Sequence, residues 1–173
     1  MNEQLTILSP NAGDTEKTEN SYKNACVFTG HRELDKDFSA KKLKKAIEDV
    51  IQEGITDFYN GMAKGFDLAA ASAVLKLKKK YPQIRLIACI PCYGQEKYFS
   101  EKDKKTYISV LKKADESITL SPNYFRGCMQ VRDRYMAERA SMMIAYCKKE
   151  IGGAAYTVKI FKKLHPESKI VFL

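Results

Sequence analysis

What most constrains this chain is an alternation, in which six short β-prone apolar runs are separated by stretches whose apolar residues recur at helical spacing. The first run, residues 25–29, reads Ala-Cys-Val-Phe-Thr and stops at Gly30, His31 and Arg32. Residues 38–53 then put Leu43, Ile47, Val50 and Ile51 on one helical face, with Gly54 as the stop. Further strands are expected at 55–59, 84–90, 117–120, 141–146 and 170–173. Further helices are expected at 65–80, at 95–113 with a break near the polar residues 100–103, at 129–139 and at 152–164. Pro91 ends the third strand, and Ser121, Pro122 and Asn123 end the fourth. Several runs are apolar along their whole length, as strands buried on both faces must be. The pattern predicts a three-layer α/β/α domain with a mainly parallel sheet and right-handed crossovers.

In such a sheet, ligands bind beyond the C-terminal strand ends, near the point where strand order reverses. The glycines and polar residues of this chain gather at those ends. Gly30, His31 and Arg32 follow the first strand, and the two basic side chains suit a phosphate. Asn60, Gly61, Gly65 and Asp67 follow the second, where a glycine-bearing turn opens an alanine-rich helix and offers N–H groups to an anion. The same turn is also explained by glycines shaping a corner and Asp67 capping the helix. Pro91 and Tyr93 follow the third strand, and Gly152 and Gly153 the fifth. In the helix expected at 129–139, Arg132 and Arg134 are two residues apart and project differently, so one can face the cleft while the other stays in solvent. Surface ion pairing of Arg132, Asp133 and Arg139 is the competing account.

A chain of 173 residues fits one domain with a core that needs no disulfide or metal. Residues 1–22 lack an apolar period and are expected to be a flexible tail, which leaves 23–173 as the folded domain. No run is long and apolar enough for a membrane span, and no signal peptide pattern opens the chain, so a cytoplasmic location is the default expectation. Five cysteines include the pair Cys89 and Cys92 at redox spacing, but at the end of a strand rather than at the opening of a helix. No metal site is expected, because no second Cys or His pair completes one. A net charge of +9 admits polyanionic partners, although the lysine pairs lie mostly on outer helix faces, where solvation alone accounts for them.

Taken in order, Gly30-His31-Arg32, the spacing of Gly61, Ala63, Gly65 and Asp67, the strand end at Pro91, the run from Arg132 through Met136, and Gly152-Gly153 resemble the YpsA-like branch of the SLOG superfamily. That superfamily groups the DNA-processing protein DprA with the cytokinin-activating LOG proteins on a Rossmann-like fold. The resemblance runs from about Asn24 to Leu173. It implies a nucleotide or nucleotide derivative held by these loops, a bacterial protein of regulatory role, and pairing of chains through helices beside the site.

The resemblance carries departures that bear on chemistry. LOG-type phosphoribohydrolases have an Arg-Lys pair at the helix start and a glutamate downstream of their glycine turn. Here Arg132 matches the arginine, Asp133 stands in place of the lysine, and Lys159 stands where the carboxylate belongs. Cleaving an N-glycosidic bond needs a carboxylate to steady oxocarbenium charge and activate water, which a lysine cannot supply. Asp67 or Asp133, beside Arg132, are the remaining candidates for catalysis. The expected function is therefore binding or sensing of a nucleotide-derived ligand without a resident cofactor. N-glycosidic hydrolysis and DprA-like binding of single-stranded DNA are the alternatives.

Overall fold

The computed structural model describes residues 22–173. The expected tail over 1–22 lies outside the described residues, apart from Tyr22. Strands and helices alternate as β1 (Ala25–Gly30), α1 (Ala40–Gln52), β2 (Asp57–Asn60), α2 (Phe66–Leu77), β3 (Arg85–Ile90), a short 3-10 turn (Gln95–Tyr98), α3 (Glu101–Leu111), β4 (Glu116–Thr119), α4 (Cys128–Ala137), β5 (Met142–Tyr146), α5 (Gly153–Leu164) and β6 (Ile170–Phe172). All strand pairs are parallel, in the order β4-β3-β2-β1-β5-β6.

Strand alternation decides which layer each side chain joins. In β1, Cys26 and Phe28 face the layer of α1, α2 and α3, while Ala25 and Val27 face α4 and α5. Both sides are apolar because both are covered. β1 and β5 run side by side from Cys26 opposite Met142 to Gly30 opposite Tyr146. From β1 the chain winds outward to β4 on one side, then crosses back over the sheet to β5 on the other. Strand order therefore reverses between β1 and β5.

The expected break in the third helix falls at Phe99, which is extended, and Ser100, whose hydroxyl caps α3 by accepting from the Asp103 N–H at 3.1 Å. Ser39 caps α1 in the same way, and Gly54 follows that helix at a φ of 98°, as a C-terminal stop requires. Among the described residues no helix is long and apolar enough to cross a membrane.

Candidate functional site

A cleft of about 700 Å³ opens at the C-terminal ends of β1 and β5, where the strand order reverses. Its walls come from Gly30, His31 and Arg32 after β1, the loop 124–127 before α4, and Lys149, Ile151, Gly152 and Gly153 after β5. Two helices begin here. The caps are Gly127 for α4 and Gly152 for α5, both at positive φ, and neither helix start has a side-chain cap. Uncapped first-turn N–H groups at the positive end of a helix dipole are suited to an anion. A Cβ at Gly152 or Gly153 would meet nothing within 4 Å, so packing within the described residues does not require a glycine at 153. Arg32, Arg126 and Lys149 stand exposed at the mouth, in no ion pair among the described residues.

The floor is acidic and largely buried. Asp67, Arg132 and Asp133 are 6%, 4% and 9% exposed. Arg132 Nε donates to Asp133 Oδ1 at 2.8 Å, and its Nη1 donates to the Gly61 carbonyl. Asp67 Oδ2 accepts from the Ala63 N–H at 3.3 Å. One guanidinium thus serves two carboxylates, and Asp133 holds the direct contact. Burial is the main influence on Asp67, raising its pKa to about 7 against the pull of Arg132, with the charge of Asp133 adding to the rise. For Arg132 the burial penalty is outweighed by Asp133 and Asp67, which keep its pKa raised. Near neutral pH Asp67 is therefore poised between carboxylic acid and carboxylate, able to donate to or accept from a hydroxyl placed against it.

The 60–67 turn contributes less to the cleft than its glycines suggest. Asn60 is fully buried; its Nδ2 donates to the Asp67 carbonyl and its Oδ1 accepts from the Met62 N–H, both at 2.8 Å. That second bond holds Met62 in the left-handed region at a φ of 56°. A Cβ on Gly61 would overlap the Arg132 guanidinium, and one on Gly65 would overlap the carbonyls of His31 and Arg32. Only Ala63 and Asp67 of this turn line the cleft. Nor does Asp67 cap α2; Gly65 stands at the cap position without a side-chain bond, and the Asp67 carboxylate turns back to Ala63.

Of the residues singled out from the sequence, Gly30, His31, Arg32, Asp67, Arg132, Asp133, Gly152 and Gly153 come together around the cleft, whereas Asn60, Gly61, Gly65, Pro91 and Arg134 do not line it. Arg134 is exposed and paired with Glu138 at 2.7 Å, and Pro91 is buried at the end of β3. His31 Nε2 accepts from the Lys148 N–H at 2.8 Å, which ties the β1 loop to the β5 loop. Burial, followed by the charge of Lys149, lowers its pKa against the opposing pull of Asp35, which suits a neutral ring in that role. Lys159 is exposed on α5 and is not among the residues of the cleft.

Tyr124, Arg126, Gly127, Lys149 and Ile151 line the cleft without having been singled out. The first three follow β4, whose edge position is invisible in sequence; the crossover to β5 brings their loop over the cleft. The signal available was the aromatic-Arg-Gly run just before a helix. Tyr124 and Ile151 are 70% and 81% exposed, apolar surface held at the mouth with nothing packed on it among the described residues. Cys89 and Cys92 are free and buried, with no disulfide between them. Among the described residues no three His, Cys, Asp or Glu side chains gather as metal ligands.

Comparison with known proteins gives a consistent picture. The family model YpsA, the YspA SLOG family, matches residues 22–171. A UPF0398 protein of Halalkalibacterium halodurans is 30% identical over 128 residues, 70% of this chain and 68% of that protein. The chain spans about two thirds of the length of the first curated relatives it matches, 68%, 65% and 65%. Two solved structures share the fold. DNA processing protein A from Helicobacter pylori, described for its single-stranded DNA binding mode, superposes with a TM-score of 0.62 at 16% identity over 92% of this chain and 68% of its own. DNA processing protein A from Streptococcus pneumoniae gives 0.61 at 21% over 87% of this chain and 50% of its own.

Proposed function

Because the chain belongs to the YpsA SLOG family, we propose that its cleft binds a nucleotide-derived ligand in the cytoplasm and that the bound state is a regulatory signal. The observation that carries this reading is the division of the cleft: two uncapped helix N-termini and three cations without an ion pair among the described residues on its walls, two buried carboxylates on its floor. A phosphate fits the first set, and sugar hydroxyls fit the second. Tyr124 at the mouth offers a face for a base.

The test is a thermal-shift panel of AMP, NAD, ADP-ribose and single-stranded oligonucleotide, with the ligand recovered and checked for cleavage. A nucleotide at about a hundred times its Kd stabilises the fold by about 2.7 kcal/mol, a rise that is easily read. Gly153→Val, which fills the open wall, and Arg126→Ala are expected to abolish it while leaving the ligand-free protein folded. No shift at millimolar nucleotide overturns the reading.

A second reading, single-stranded DNA binding, is favoured by the exposed run Tyr124, Phe125 and Arg126 together with the DNA-binding structural neighbour. A shift by oligonucleotide alone, with a steep salt dependence, selects it. Free base accumulating with time would select hydrolysis, with Asp67 or Asp133 as the acid-base group.

A further inference from the structure

On the outer side of the α1, α2 and α3 layer, the middle helix is the low one. α2 presents Ala69, Ser72 and Ala73 outward, small side chains that leave a groove on either side of it. The groove against α1 has a volume of about 620 Å³ and the groove against α3 about 650 Å³; they meet at Ser72, Lys76 and Lys79. Phe38, Leu43 and Leu77 line the first and Leu75 and Val110 the second, so the floor is apolar.

The rim is a single charge. Lys41, Lys44, Lys76, Lys79, Lys105 and Lys113 line the two grooves, and no carboxylate does. None of the six has an ion-pair partner among the described residues. Some cations elsewhere are compensated, Lys45 by Asp49, Arg85 by Asp57 and Glu116, and Lys169 by Glu53. Apart from the cleft mouth, no other cavity wall among the described residues gathers unpaired cations around an apolar floor as these two grooves do. Lys80, at the end of the first groove, is paired with Glu48 at 3.1 Å. Unpaired like charges around an apolar trough repel one another unless an acidic surface is laid over them.

We infer that this trough is a docking site for an acidic amphipathic helix of a partner protein. The small residues of α2 allow the close axial approach of about 8 to 10 Å that helix packing needs, and carboxylates flanking an apolar stripe would reach the lysines on both sides. Charge and shape disfavour the other occupants. A second copy packed two-fold through the same face would bring lysines against lysines. Single-stranded nucleic acid stacks on exposed aromatics, and no aromatic side chain of either groove is exposed. A membrane surface wants apolar side chains that protrude, whereas these are recessed. The site lies on a helical face and shares no lining residue with the β1/β5 cleft, so it stands whether or not a nucleotide binds there.

The probe is a labelled synthetic helical peptide of about four turns, with leucines at positions i, i+3, i+4 and i+7 and glutamates beside them, read by fluorescence anisotropy with the full chain. Binding in the micromolar range is expected, about tenfold weaker for a scrambled peptide of the same composition and about tenfold weaker for Lys76→Glu/Lys79→Glu. Ala73→Phe, which fills the trough at constant charge, is expected to weaken it as much, which separates shape from charge. All of these residues are at least partly exposed, and an unchanged melting temperature shows that the variants fold. No binding at about a hundred micromolar overturns the proposal, as does equal binding of the scrambled peptide or of Ala73→Phe. Tighter binding of an oligonucleotide or of phosphatidylserine vesicles, lost in the charge variant, overturns it in favour of that polyanion.

Discussion

The chain has two glycine turns that lead from a strand into a helix, at 60–67 after β2 and at 149–153 after β5, and they serve opposite ends. In the first, the places where side chains would stand are filled by the protein itself: by the Arg132 guanidinium at Gly61 and by two carbonyls at Gly65. In the second, the corresponding space at Gly152 and Gly153 is empty and faces the cleft. A glycine whose space the same chain occupies is scaffold, and Gly152 is held to glycine by its φ of 106°, whereas Gly153 has neither constraint and leaves room for a visitor in the cleft. The first turn still reaches the site, through Asp67, because closing on Arg132 is what sets that carboxyl at the cleft floor.

The comparison can be broken most sharply at Arg132. Arg132→Met removes the partner that Asp133 bonds directly in this buried floor, and a loss of roughly 3 to 5 kcal/mol is expected in urea denaturation. A loss below about 1 kcal/mol would mean that the floor is wetter than its burial indicates. Next comes Gly65→Ala, which forces a Cβ into the His31 and Arg32 carbonyls at a φ of 82°. About 3 kcal/mol is expected from overpacking and backbone strain together, measured in the same way.

Asp67→Asn should act through pH. With its pKa raised from 3.8 to about 7, the folded state holds a proton that the unfolded state has already released. Asp67 thus makes stability fall as pH rises between about 4 and about 7, and the loss is complete above that window. The shift sets a ceiling of about 4 kcal/mol, and relaxation around the charged carboxylate brings the expectation nearer to about 2 kcal/mol. In the Asn variant this falling component should vanish from melting curves recorded across that range; an unaltered profile would place the proton elsewhere. The smallest effect on stability belongs to the open turn. Gly153→Ala sits at the first position of α5 with free space around it and should change stability by less than about 0.5 kcal/mol. A large loss there would erase the distinction between the two turns.

How much of this was legible can be argued from particular residues. The strand-end rule pointed to Gly30, His31, Arg32, Gly152 and Gly153, which line the cleft, because strand ends follow from local apolar runs. It could not separate Gly61 and Gly65 from Gly152 and Gly153, since what fills a glycine's space comes from α4 in one case and from the β1 loop in the other, each distant in sequence. Arg132 and Arg134 were separated in principle by their different projections, yet which of them faces inward depends on how α4 lies on the sheet. The loop around Tyr124 and Arg126 went unnoticed because it follows an edge strand and becomes part of the site only when the chain crosses back to β5.

By itself, the amino-acid sequence determined the alternation of strands and helices, the two-faced burial and hence the parallel three-layer fold, because these rest on local periodicity and propensity. The tertiary structure alone decided where strand order reverses, which glycines are closed, which arginine is buried with two carboxylates, and that six lysines on or just beyond three helices border one trough. Those are distances between segments far apart in the chain, and only packing brings them together.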